Sequence, residues 1–257
     1  MRIHLLFTAF VLILSFSVPA TGEELHSEKE GVTSAGVYTN EEQLITTAHY
    51  PNGEIIPYIL NCKNISPRYV IILFPGGNGV VNPHLEDGSL VYDKKGNFLL
   101  RARTFLVDDE FATVTTDSSS SEERIQGVLD DIKIRFPSAQ IYLMGTSNGT
   151  FATMALAEYL SDKIAGEVHT SSLSRIDSFD ARKYKNRHLV VHHKEDWCKS
   201  TPFESAKYSH EKYGNELIVM EGGITRGDWC QPYAHHGFNG IEQETVNSIK
   251  QWIKRSN

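Results

Sequence analysis

Ser147 lies in the pentapeptide Gly145-Thr146-Ser147-Asn148-Gly149, between an apolar run, Ile141-Tyr142-Leu143-Met144, and a helix-forming stretch over 151–160. A strand, a tight turn carrying a serine and then a helix lift a hydroxyl above the end of a sheet, where it can attack a carbonyl. Glycines on either side let the turn be sharp, because a side chain there would meet the neighbouring strand or helix. The pentapeptide is built of common residues, so the case rests on what else the chain supplies. A serine hydroxyl is a poor nucleophile at neutral pH. It needs a base, a carboxylate that fixes the base's tautomer, and two donors aimed at the developing oxyanion.

In an open parallel sheet these groups come from loops at the carboxyl ends of strands. Directly after the apolar run Tyr69–Phe74 comes Pro75-Gly76-Gly77-Asn78-Gly79. A glycine-rich loop there lets backbone N–H groups approach a ligand. Gly77 is one expected oxyanion donor, and Asn148, the residue after the nucleophile, is the other. No Gly-Lys-Ser/Thr follows, which argues against a phosphate loop. The run 188–191 leads into His192-His193-Lys194-Glu195-Asp196-Trp197-Cys198. Asp196 is the expected acid, with Glu195 its immediate competitor. The run 217–220 leads through Gly222-Gly223 to His235-His236-Gly237-Phe238. Either histidine can serve as base. Serine, acid and histidine thus each follow a strand of their own.

The elements that must position these groups are legible as periodic patterns. Strands are expected over 44–49 and 55–60, joined by the turn Pro51-Asn52-Gly53. Further strands are expected over 69–74, 111–116, 140–144, 164–169, 188–191 and 217–220. Helices are expected over 99–107, 122–135, 151–160, 202–213 and 241–253. In the second of these, Ile125, Val128, Leu129 and Ile132 share one face, and Ser120 with Glu123 suits a capping box. Strands alternating with helices imply an α/β fold: a mostly parallel central sheet with helices on both faces. The early hairpin adds antiparallel strands at one edge.

With these motifs in place, the chain resembles an α/β-hydrolase over 21–257, read as one domain. The match lies in the G-x-S-x-G elbow, the glycine-rich oxyanion loop and the Ser–Asp–His order. The short span from Ser147 to Asp196 implies no large lid, as in the compact dienelactone-hydrolase-like enzymes. In that group a bulky aromatic stands two residues after the histidine. His236-Gly237-Phe238 fits, so the resemblance selects His236 over His235. Two departures stand out. Dienelactone hydrolase uses a cysteine where this chain has Ser147, and the histidine usual before the oxyanion glycines is replaced by Phe74-Pro75. The resemblance therefore implies fold and mechanism but not that substrate. The expected function is hydrolysis of a carboxylic ester or related acyl bond of a small molecule, with no cofactor. A peptidase or amidase, or a binding protein on the same scaffold, are the competing readings.

The rest of the chain bounds where this chemistry takes place. Residues 5–18 form an apolar run ending near Val18-Pro19-Ala20, which reads as a signal peptide over 1–20 and a secreted or periplasmic protein. No stable membrane insertion is expected after cleavage. The net charge of −7 and the absence of a basic cluster argue against nucleic acid as a partner. Three cysteines remain, and Asp196-Trp197-Cys198 is echoed by Asp228-Trp229-Cys230. If Asp196 meets His236, their loops are neighbours and a Cys198–Cys230 disulfide is natural, leaving Cys62 as a buried thiol. The echo also makes Asp228 a rival acid. Cys198, Cys230 and the pairs His192-His193 and His235-His236 suggest zinc ligands. Adjacent strand residues point to opposite faces, however, and no metal is expected.

Overall fold

The computed structural model describes residues 42–255, so the expected leader over 1–20 and the polar lead-in over 23–34 lie outside the described residues. The elements follow in the order β1 (Glu42–His49), β2 (Ile55–Cys62), β3 (Tyr69–Phe74), β4 (His84–Glu86), β5 (Ser89–Val91), α1 (Phe98–Leu106), β6 (Phe111–Thr115), α2 (Glu122–Arg135), β7 (Gln140–Thr146), α3 (Gly149–Leu160), β8 (Gly166–Thr170), β9 (Arg187–His193), α4 (Phe203–Tyr213), β10 (Glu216–Met220) and α5 (Glu242–Lys254). Eight strands form one sheet in the order β1-β2-β6-β3-β7-β8-β9-β10. The strands β6-β3-β7-β8-β9-β10 run parallel, and β1 and β2 add an antiparallel edge.

The central strand β3 shows why both faces are covered. Val70, Ile72 and Phe74 enter one core with Ile125, Val128, Leu129 and Ile132 of α2 and Leu156 and Leu160 of α3. Tyr69, Ile71 and Leu73 enter the other with Phe98, Leu99 and Leu106 of α1 and Val246, Ile249, Trp252 and Ile253 of α5. Successive side chains of a strand point to opposite faces, so a strand covered on both sides reads as one continuous apolar run.

Parallel register brings the strand ends into line. Phe74 pairs with Gly145, Thr146 with Thr170, Thr170 with Val191, and His193 with Met220. The loops after β3, β7, β9 and β10 therefore emerge along one edge. Between β7 and β9 lie only α3, β8 and two short 3₁₀ turns, Ser174–Ser178 and Ala181–Lys183, with no inserted domain. Among the described residues no helix is long and apolar enough to cross a membrane.

Three expectations shift locally. The cap of α2 is Ser121, not Ser120: its hydroxyl accepts from the Arg124 N–H at 3.2 Å. An arginine stands three residues on, so the reciprocal glutamate bond of a capping box does not form. Helix α3 begins at Gly149, two residues earlier than its apolar pattern suggested. Strand β8 begins at Gly166, because Ala165 still belongs to the connection, its N–H donating to Ile141 O at 2.8 Å.

Candidate active site

Ser147 directly follows β7 in the left-handed region, with φ 51°, and its N–H donates to Thr170 O at 3.0 Å. A non-glycine residue held there stores backbone strain, which persists only when surrounding contacts over-determine it. Here the determinants are close backbone approaches. A Cβ on Gly149 would lie 2.3 Å from Phe74 O, and one on Gly145 would lie 2.8 Å from Gly149 O. The two glycines let the elbow pack against the end of β3 and the first turn of α3. Gly76 belongs to the same set, since a Cβ there would come 2.9 Å from the Ser147 Cβ.

The loop after β3 is held by side chains that sequence patterns do not flag. Ser118 Oγ donates to Pro75 O at 2.6 Å, and the Gly79 N–H turns back to Gly76 O at 3.2 Å. Gly77 adopts φ +68°. The Asn148 side chain donates from Nδ2 to Gly77 O at 2.7 Å, tying this loop to the elbow. The backbone N–H groups of Gly77 and Asn148 meet no acceptor among the described residues. Asn78 folds its own turn, its Oδ1 accepting from the Val80 N–H at 3.2 Å.

Asp196 lies buried just past β9, and His236 lies buried in the 3₁₀ turn His235–Gly237. His236 Nδ1 is 3.0 Å from Asp196 Oδ2. The same carboxylate oxygen accepts from Thr201 Oγ1 at 3.1 Å and lies 3.3 Å from His192 Nε2, while Oδ1 accepts from the Cys198 N–H at 3.0 Å. Burial alone would raise the Asp196 pKa, but hydrogen bonds from His192 and His236 outweigh it. The carboxyl is held well below the usual carboxylate range. His192 Nε2 also faces Thr201 O at 3.0 Å, and its buried Nδ1 has no partner. Both neighbours of Nε2 are acceptors, so Nε2 carries a proton and donates.

His235 occupies a different environment. Its ring stacks on His193 with centroids 4.3 Å apart, and its Nδ1 lies 3.7 Å from Glu195. Glu195 and His235 are thus neighbours of each other rather than of the Asp196–His236 pair. Asp228 is exposed. Phe238, two residues after His236, is fully buried and packs on Phe98 with centroids 4.7 Å apart, so the aromatic anchors the histidine turn in the core. Ser171 Oγ donates to His236 O at 2.6 Å from the end of β8.

Two ties brace these loops. Cys198 and Cys230 form a disulfide with Cα atoms 4.7 Å apart, joining the acid loop to the histidine loop. Neither sulfur is then a thiolate, which removes both from any zinc site. In the nearby cluster of His193, Glu195 and His235, both His193 nitrogens are already engaged, by Gly222 O and the Glu195 N–H. The second tie is Arg101 of α1, which sequence reading missed. Its guanidinium reaches Gly96 O, Pro232 O at 3.0 Å, Gly237 O at 3.0 Å and Glu242 at 2.7 Å.

Ser147 and His236 face one cavity of about 360 Å³, lined also by Gly76, Gly77, Lys94 and Gln231. Trp197 lies outside this cavity, in an exposed depression with Trp229. The arrangement offers a strained serine and an imidazole backed by an ionised carboxylate around one space, with the unengaged N–H of Gly77 in its lining and that of Asn148 next to the serine in the chain. Those are the parts an acyl transfer requires.

No family model matches the sequence, and no curated protein matches it. Solved structures do. A lidless α/β serine hydrolase from Xanthomonas campestris aligns with a TM-score of 0.54 at 12% identity, covering 82% of this chain and 96% of its own. An α/β serine hydrolase homologue from Coxiella burnetii gives 0.54 at 16% identity, covering 84% and 97%. An esterase domain from a Rhodothermus marinus protein gives 0.55 at 12% identity, covering 83% and 99%. Near-complete coverage of those chains, with no insertion between β7 and β9, accords with the strand order described above. The chain has the α/β-hydrolase fold, and among the described residues no domain is inserted between β7 and β9.

Proposed function

We propose that the chain is a serine hydrolase that cleaves a carboxylic ester or related acyl bond of a small molecule. The observation that carries this reading is the Asp196–His236 contact of 3.0 Å behind a cavity that Ser147 also faces. With Nδ1 bound to the carboxylate, Nε2 is the imidazole nitrogen left for the serine. His236 takes the Ser147 proton as Oγ bonds to the substrate carbonyl carbon. The carbonyl oxygen becomes an oxyanion, which the N–H groups of Gly77 and Asn148 stabilise. Collapse expels the alcohol, which leaves with the proton held by His236. Water, deprotonated by the same histidine, then attacks the acyl-enzyme and releases the acid and Ser147. Asp196 keeps the imidazole in one tautomer and offsets its charge throughout.

The described disulfide and the apolar run near the amino terminus support export to a secreted or periplasmic location, with 21–257 as a single domain. Hydrolysis of short p-nitrophenyl esters by wild type and Ser147→Ala tests the reading. Turnover is expected to fall by roughly three orders of magnitude or more in the variant. Equal rates would overturn it.

A further inference from the structure

Lys94 is the lysine or arginine that faces the cavity, and no carboxylate lines that space. The chain as a whole is acidic, with net charge −7, so a bare cation in the cleft is not a general property of its surface. Lys94 is half-buried, and among the described residues its Nζ has neither an ion-pair partner nor a hydrogen-bond acceptor. It is also held in place. Its backbone sits in the left-handed region at φ 64°, its carbonyl accepts from the Asn97 N–H at 2.7 Å, and Arg101 clamps Gly96 two residues on. The side chain lies against Gly77: Nζ is 3.4 Å, and Cε 3.8 Å, from where a Cβ on that glycine would sit. The ammonium therefore lies beside the expected oxyanion donor.

A partly desolvated cation with no counterion is unfavourable until an anion reaches it. The oxyanion already has two N–H donors, so the ammonium is left for a second negative group. We propose that Lys94 is a specificity-determining residue that binds a carboxylate on the substrate, a few atoms from the scissile carbonyl. The substrates are then half-esters and their relatives, acids that also carry the ester bond. This inference rests on the serine-hydrolase reading above.

The test compares charged esters with neutral isosteres in wild type and Lys94→Met. Mono-p-nitrophenyl succinate against p-nitrophenyl butyrate places the charge on the acyl side. Acetoxybenzoate against phenyl acetate places it on the alcohol side. In wild type at low salt, one of the two pairs favours the charged ester by about tenfold or more in kcat/KM, chiefly through KM, and added salt shrinks the preference. In Lys94→Met that ratio falls to near one, and in Lys94→Glu below one. The absence of a preference in both pairs would overturn the proposal, as would a preference that survives in Lys94→Met. So would an equal loss on charged and neutral esters, which would assign Lys94 to the oxyanion instead. If wild type cleaves none of the esters, the hydrolase reading fails separately. Calorimetric binding of succinate to wild type but not to Lys94→Met would still uphold the anion site, and equal or absent binding would reject it.

Discussion

The Asn148 side chain donates to the Gly77 carbonyl at 2.7 Å, so the elbow and the loop after β3 are joined at the two residues proposed to hold the oxyanion. One bond thereby sets the spacing between the two backbone donors. Asn148→Ala keeps its own N–H but releases the Gly77 peptide. We expect kcat to fall about ten- to a hundredfold with KM much less changed, because the donors matter most once charge has developed on the oxygen. Steady-state kinetics on one p-nitrophenyl ester checks this. An unchanged kcat would show that the loop keeps its shape without the clasp.

The Cys198–Cys230 disulfide spans a sequence separation of 32 and joins the acid and histidine loops. Closing a loop of that size restricts the unfolded chain by roughly 3 kcal/mol. The Cys198→Ser/Cys230→Ser double variant should melt roughly 6–12 °C below wild type. Calorimetry of both proteins in the oxidised state is the measurement, and equal melting temperatures would contradict the bracing role.

Glu167 of β8 is fully buried against His169 and His188, and its Oε2 has no partner. Burial pushes its pKa from 4.5 up to about 8, partly offset by the Asn186 amide 3.4 Å from Oε1. A raised folded-state pKa means the folded chain binds the extra proton between the two values. Stability from this group is full below 4.5 and is lost as pH rises through about 8. His188 works in the opposite sense, since burial lowers its pKa to about 4 and its contribution is lost as pH falls from 6.5 toward that value. Glu167→Gln should therefore match wild type in acid and melt several degrees above it at pH 9. A gap that does not vary with pH would refute the buried neutral carboxyl.

Much of the fold was legible because its signals are local. The run Tyr69–Phe74 announces a strand buried on both faces, and the helix face of Ile125, Val128, Leu129 and Ile132 announces α2. Ser147 and Asp196 stand out as candidates because each closely follows a recognisable strand, whereas the strand pattern left His235 and His236 open and only the resemblance chose between them. What surrounds these residues was not legible. Thr201 and His192 meet Asp196 only once β9 and the loop after it are folded, and neither has a telling neighbour in sequence. Arg101 contacts Gly237 across 136 residues, and nothing near Arg101 in the chain hints at that partner. Lys94 lies in the turn-rich insert over 80–97, whose residue types suggest a pocket wall but do not single out this lysine. The cap of α2 slipped by one residue because four consecutive serines, Ser118 to Ser121, offer equivalent hydroxyls and only backbone geometry chooses among them.

Everything proposed for the site depends on Ser147 being a nucleophile activated by His236. A fluorophosphonate probe reacts readily with a serine whose proton a neighbouring base removes as the oxygen attacks, and peptide mass spectrometry locates the adduct. A single adduct is expected on Ser147 in wild type, absent in Ser147→Ala and strongly reduced in His236→Ala. No labelling of the folded wild type, or an adduct on another residue, would contradict it.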